Sequence, residues 1–184
     1  MREPSVLHFI KVGRGRIGLH HRPRGADFPI LKELGCTHVV TLLKDSEGAA
    51  HIGRMSANAG LDWIWLPVPN GNRPQGEVHE RLFEALPRLS QLLDQGASLL
   101  IHCSAGIHRT GTVTYGLLRW RGLSREQALK LIAQMRPITA AEVGEKRLVW
   151  GNEVARPLSP KETSWIHFIK ESAAQFWMNL FKKR

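Results

Sequence analysis

A chain of 184 residues with 42% hydrophobic content can bury a core without metal or disulfide support, and it reads as one domain with an extension. Two cysteines, Cys36 and Cys103, are too few for a disulfide framework; with no signal-peptide apolar core after Met1 and no run of membrane-spanning length, the expected location is cytoplasmic. The net charge of +10 attracts anions of every kind, nucleic acid and acidic membranes included, so it discriminates little among phosphate-binding functions.

Residues 7–12 and 16–20 flank Gly13-Arg14-Gly15 and predict a short hairpin. The cationic stretch His20-His21-Arg22-Pro23-Arg24 is either a solvated loop or one wall of an anionic-substrate groove. Asp27 is expected to cap a helix over 28–34 that Gly35 ends. Residues 37–43 are strongly β-branched and predict a central parallel strand. Cys36, at its start, reads as core filler, the alternative being a redox partner for Cys103. The loop Lys44 to Gly48 then lies at the C-terminal end of that strand, where open α/β sheets carry ligands.

Residues 49–58 predict a helix and 62–68 a strand; Pro67 to Pro74 form a stiff loop. A long helix is expected over 77–95, with Pro87 kinking it or splitting it in two. The apolar run 97–101 has the length and branching of a buried strand, and a helix is expected over 112–121. Between them lies His102-Cys103-Ser104-Ala105-Gly106-Ile107-His108-Arg109-Thr110-Gly111. Strand, tight turn and helix start aim backbone N–H groups at one point, so the segment reads as an anion cradle.

Its contents carry chemistry. A thiol must become a thiolate to attack phosphorus, and amide donors at a helix N-terminus lower its pKa. Five residues between Cys103 and Arg109 let the amides of Ser104, Ala105, Gly106, Ile107 and His108 loop around a tetrahedral oxyanion, which the planar Arg109 fork completes. Thr110 is positioned to donate to the Cys103 sulfur. His102 is placed to fix the Cys103 backbone by a hydrogen bond rather than to act as a general base. The bland alternative is a buried cysteine before a helix, with Arg109 solvated.

Downstream, Ser124-x-x-Gln127 and Thr139-x-x-Glu142 are two capping boxes, each opening a further helix, with Arg136-Pro137 between them. Alternating strands and helices followed by several helices predict an α/β fold, a mostly parallel central sheet flanked by helices. From Arg156 the composition changes. Ser159-Pro160-Lys161-Glu162 is a helix start, and Trp165, Phe168, Ile169, Phe176, Trp177, Leu180 and Phe181 recur near helical spacing before Lys182-Lys183-Arg184. Residues 156–184 are therefore expected to form an amphipathic basic helix. It either folds back on the domain or makes peripheral contact with an acidic membrane or a partner's groove.

The run His-Cys-x-x-Gly-x-x-Arg-Thr-Gly resembles the signature of the cysteine-based protein tyrosine phosphatases, and the compact size resembles their dual-specificity branch. A rhodanese-like loop shares Cys-x5-Arg but usually lacks the following Thr-Gly. The resemblance implies that residues 1–155 are a phosphatase domain using Cys103 as nucleophile through a phosphocysteine intermediate, with no metal or cofactor. It also implies that Glu47 holds Arg109 by an ion pair, an exposed loop carboxylate being the other reading.

The resemblance further implies an aspartate general acid some thirty-odd residues before the cysteine, yet Asn70 stands there. An amide cannot donate a proton at neutral pH. Glu77, Glu80, Asp62 and Asp45 are the nearby carboxylates by sequence; otherwise the substrate has a good leaving group, or Asn70 marks a weakened form. Phosphorylated proteins are the expected partners: Ser104, Ala105 and Ile107 bring no lysine into the loop for a highly phosphorylated inositol lipid, and no aromatic-rich RNA-binding motif is present. The alternatives are a pseudophosphatase that binds phosphorylated partners, or a phosphatase of phosphoinositides or RNA 5′ ends.

Overall fold

Five consecutive buried residues, Ser98–His102, form the strand around which the sheet is built. A computed structural model describes residues 7–156. In chain order its elements are β1 (Phe9–Val12), β2 (Gly15–His20), α1 (Asp27–Glu33), β3 (His38–Thr41), a 3-10 turn (Asp45–Glu47), α2 (Ala49–Asn58), β4 (Asp62–Trp65), α3 (Gly76–Asp94), β5 (Ser98–His102), α4 (His108–Trp120), α5 (Arg125–Met135), α6 (Pro137–Glu142) and α7 (Glu145–Glu153). The sheet order is β1-β2-β5-β3-β4, parallel except for the β1–β2 hairpin. This is an α/β fold with a central, mostly parallel sheet flanked by helices.

Strands covered on both faces must be apolar throughout, which accounts for Leu99, Leu100 and Ile101 in β5 and Val39 and Val40 in β3. The parallel arrangement has one consequence for function. The segments that follow β2, β3, β4 and β5 all leave the sheet at the same end, and the cysteine loop lies among them. Helix α4, which continues from that loop, is fixed from behind by Trp150 of α7. A Cβ on Gly116 would come within 2.1 Å of the Trp150 ring, so only glycine admits this contact.

Several boundaries differ from expectation for identifiable reasons. Helix α4 starts at His108 rather than Thr112, because the loop turns directly into its first turn. Helix α3 is neither split nor interrupted at Pro87; the buried stripe Leu82, Leu86, Leu89 and Leu93 holds it together against the loss of one backbone bond. Asp27 does not cap α1 but opens it, with Ala26 at the cap, and its carboxylate accepts the Arg24 N–H at 2.6 Å. Strand β3 is shorter than 37–43, although Leu42 still bonds His102 O at 3.0 Å. Likewise β4 ends at Trp65, short of 68.

Of the two capping boxes, Ser124 with Gln127 forms. Thr139 does not cap: Arg136 is the N-cap of α6 and Pro137 sets its first turn, leaving Thr139 buried within the helix. Cys36 lies beside Ser98 at the start of β5, while Cys103 follows its end. Five residue steps, Ser98 to Cys103, at ~3.3 Å each separate them by ~16 Å, beyond disulfide reach. The expected division at 155/156 and the C-terminal amphipathic helix lie outside the described residues. No described helix is long and apolar enough to cross a membrane.

Candidate active site

Strand β5 delivers Cys103 to the C-terminal end of the sheet, and α4 receives the chain six residues later. Between them Gly106 adopts a φ of 69° and lies so close to the end of β2 that a Cβ would sit 2.3 Å from His20 O. Both facts require glycine. The turn directs the Gly106 N–H at the Cys103 sulfur, 3.2 Å away. Ser104, Ala105, Ile107 and His108 direct their amides to no protein acceptor among the described residues, leaving a set of donors at a helix start for an anion.

Cys103 is buried, and burial alone would push its thiol pKa up. The Thr110 hydroxyl and amide, the Gly106 amide and the Arg109 charge outweigh it and bring the pKa below the ordinary thiol value. The Thr110 hydroxyl has no nitrogen or oxygen partner among the described residues, so its proton is free to turn toward the sulfur.

Arg109 is held on three sides. Its Nη1 and Nη2 donate to Glu47 Oε2 and Oε1 at 2.7 and 2.9 Å, a bidentate ion pair. Nη1 also reaches Val68 O at 3.1 Å, and Nη2 reaches Ser104 Oγ at 2.9 Å. None of these bonds uses Nε, so its N–H is the guanidinium donor left for an anion in the loop, and the Nη2 hydrogen now on Ser104 Oγ lies beside it. The Arg109 hydrogen bond is the main cause of a Glu47 pKa of about 2, and the Lys44 N–H on Oε2 at 2.9 Å helps hold the carboxylate. Loop 44–48 is thus a support for the arginine rather than a free surface loop.

His102 has no exposed surface. Its Nε2 lies 2.9 Å from Thr41 Oγ1, which also accepts the Trp63 indole N–H, and its Nδ1 lies 3.4 Å from Cys103 O. The tautomer that suits both contacts carries its proton on Nδ1, donating to Cys103 O while accepting from Thr41. Burial pushes its pKa down to about 3, so it stays neutral at physiological pH and serves no proton transfer there.

Asn70 is exposed on the loop 67–74, its Oδ1 accepting the Asn72 N–H at 2.9 Å. That loop is drawn to the site at three points. Val68 O meets Arg109, Gly71 packs on His108, and Arg147 of α7 donates to Gly71 O. Asp62 is removed from the candidate acids: it begins β4 at the opposite end of the sheet, 3.5 Å from His38. Glu77, Glu80 and Asp45 are exposed, and none hydrogen-bonds the cysteine loop among the described residues.

Three residues make loop contacts that had no signature in the sequence. Arg22 N–H donates to Ser104 O at 3.1 Å, which docks the stretch after β2 against the loop. Arg136 Nη1 donates to Ala105 O at 2.9 Å and Gly106 O at 2.6 Å, and Thr139 Oγ1 donates to Gly106 O at 2.7 Å.

Comparison with known proteins agrees with this geometry. Residues 7–148 match the family described as PTP-SAK, Swiss Army Knife protein, DSP-PTPase phosphatase domain. Rat (Rattus norvegicus) dual specificity protein phosphatase 12 is 30% identical over 136 residues, 72% of this chain and 38% of that protein, so the chain spans well under half of that relative's length. Among solved structures, Tk-PTP in its active form superposes with a TM-score of 0.63 at 25% identity, covering 78% of this chain and 92% of that one. Kinase associated phosphatase, with its catalytic cysteine replaced by serine, superposes with a TM-score of 0.66 at 18% identity, covering 82% and 95%, a likeness of fold.

Proposed function

The chain belongs to the DSP-PTPase phosphatase domain family, a branch of the cysteine-based tyrosine phosphatases, and from that premise we propose that it hydrolyses phosphomonoesters on proteins, phosphotyrosine foremost, through a phosphocysteine intermediate. The observation that carries this reading is the Cys103 sulfur, lowered in pKa and facing the Gly106 N–H, beside an Arg109 fixed by Glu47.

The chemistry follows in two displacements. Free amides of the loop and Arg109, through Nε and through Nη2 once it exchanges Ser104 Oγ for a phosphate oxygen, bind the three non-bridging oxygens, and the thiolate attacks phosphorus in line as the P–O bond to the leaving group breaks. The donors gain most as the phosphoryl group flattens, and they are already held in place. Water then attacks the phosphocysteine, the P–S bond breaks, the water's proton passes to a phosphate oxygen, and a hydrogen bond from the Thr110 hydroxyl stabilises the departing thiolate. Neutral His102 keeps the Cys103 carbonyl in register throughout.

Asn70 supplies no proton, so a phenol leaves more readily than an aliphatic alcohol, which favours phosphotyrosine over phosphoserine. General acid assistance is typically worth ~10²–10⁴-fold, so turnover without it is slow rather than absent. The same residue supports a second reading, a module that binds phosphorylated partners with little turnover. An acid-quenched reaction with a ³²P-labelled aryl phosphate separates the two. Label on Cys103 together with continuous phosphate release supports the enzyme. Binding without either overturns it in favour of the module.

A further inference from the structure

We propose that α6 braces the cysteine loop, with Arg136 and Thr139 acting as positioning residues that set the acidity and the anion affinity of Cys103. The starting point is the planarity of the peptide unit. In a trans peptide the C=O and the next residue's N–H point in opposite directions, so a loop that turns its amides inward must turn its carbonyls outward. Those carbonyls need partners of their own.

Two of them are met from α6. Ala105 O belongs to the same peptide plane as the Gly106 N–H, the group that points at the sulfur at 3.2 Å. Arg136 Nη1 holds that carbonyl at 2.9 Å. Gly106 O belongs to the plane that carries the Ile107 N–H, and it receives both Arg136 Nη1 at 2.6 Å and Thr139 Oγ1 at 2.7 Å. Each brace therefore fixes the direction of one inward amide. A donor on the carbonyl also polarises the amide on the other side of the plane and strengthens it.

The approach of α6 is built into the motif itself. A Cβ on Gly111 would lie 2.7 Å from Val143 Cγ2 and 3.2 Å from Thr139 Cγ2, so the glycine after Thr110 is what lets α6 and the residue after it reach the loop. Thr139 is fully buried. Arg136 is part-buried and forms no ion pair with a carboxylate among the described residues, so its guanidinium is committed to loop carbonyls, with the Thr139 hydroxyl a longer contact at 3.5 Å. A helix added only for packing would not need an arginine and a buried hydroxyl converging on two successive carbonyls.

This inference rests on Cys103 being the nucleophile, but its readout needs no turnover. The pH dependence of Cys103 alkylation by iodoacetamide and the binding of inorganic phosphate are compared in the full chain and in Thr139→Val, Thr139→Ser, Thr139→Ala and Arg136→Ala. Thr139→Val and Arg136→Ala are expected to raise the alkylation midpoint by about one pH unit, a tenfold gain in proton affinity, and to weaken phosphate binding about tenfold. Thr139→Ser restores the hydroxyl and the wild-type midpoint. Folded Val and Ala variants with wild-type midpoint and phosphate affinity overturn the proposal. Should Arg136→Ala fail to fold, Thr139→Val against Thr139→Ser decides; should both fail, a wild-type midpoint in Thr139→Ala, which also lacks the hydroxyl, overturns it. Loss of phosphatase activity with a normal midpoint in the wild type would sink the functional reading and leave the brace standing.

Discussion

Cys36 and Cys103 are buried almost equally, at 4% and 3% exposure, yet their acidities diverge. Burial pushes the Cys36 thiol up to about 11, while Cys103 falls below the ordinary thiol value. The difference lies in how far the neighbouring donors and charges offset burial, too little at Cys36 and more than fully at Cys103. At the start of the strands Cys36 faces carbonyls, donating to His38 O at 3.4 Å and Ser98 O at 3.7 Å. At their other end Cys103 meets the Gly106 N–H, Thr110 and a guanidinium. A parallel sheet running into a helix start thus makes one end of the same scaffold hospitable to a thiolate and the other hostile to it.

The sharpest way to break this contrast is to remove each sulfur in turn. Cys103→Ser should lower turnover of an aryl phosphate by ~10³-fold or more, since the covalent route is lost, while leaving phosphate binding in place. At pH 7 iodoacetamide should label one thiol per folded chain, and none in this variant. Labelling of Cys36 at a comparable rate would show that the two ends do not differ as described.

Next in size is the guanidinium. Arg109→Lys keeps the charge but loses the planar fork, and the loss of a positioned oxyanion donor typically costs ~10²–10³-fold in kcat. Glu47→Gln keeps one acceptor for Arg109 and should cost about tenfold, on the logic that a misdirected arginine still carries its charge. The pH dependence separates the two roles. The Glu47 pKa of about 2 lies below the free carboxylate value of 4.5, so its stabilisation is fully present above pH 4.5 and is lost as pH falls through about 2. Glu47→Gln should therefore lower the pH–rate curve above pH 4.5 without changing its shape. An acid limb above pH 4.5 that the wild type shows and Glu47→Gln lacks would show that Glu47 titrates where its ion pair says it does not.

These residues were legible to different degrees. Cys103, Arg109 and Thr110 stand at fixed spacing on a strand-turn-helix, so local sequence contains their whole geometry. Glu47 was visible as a candidate because loops at one end of a parallel sheet converge; its shared grip on Arg109 with Ser104 depends on backbone placement across 62 residues of chain. Thr139 was misread because the pattern Thr-x-x-Glu does not distinguish a cap from a residue already inside a helix that Pro137 begins. Arg136 left no trace, since a side chain that binds distant carbonyls has no periodicity and no preferred neighbour. The continuity of α3 through Pro87 likewise came from tertiary packing, which local propensity does not contain.

Asn70 extends the contrast from the sulfur to the proton. Its amide oxygen is engaged with the Asn72 N–H, as an Asx turn would have it, on a loop tethered to His108 and Arg109. Asn70→Asp should raise turnover of an alkyl phosphoserine peptide by about tenfold, the modest end of what a general acid supplies, and that of an activated aryl phosphate by less than about twofold. Equal gains on both substrates would mean that position 70 does not face the leaving group.

The smallest effect belongs to Cys36→Ala, and it is informative for that reason. The substitution removes one buried sulfur at the far end of β5. Ser98 O, one of its two acceptors, keeps the Thr37 N–H at 2.9 Å and the Thr37 hydroxyl at 3.2 Å. The cost should come from the cavity alone, about 1 kcal/mol in chemical denaturation. Turnover and the alkylation profile of Cys103 should be unchanged, because everything that lowers the Cys103 pKa sits at the other end of the sheet. A shifted Cys103 midpoint in Cys36→Ala would mean that the acidity is set by the packing of the whole sheet, and that the amides, Thr110 and Arg109 are not sufficient to explain it.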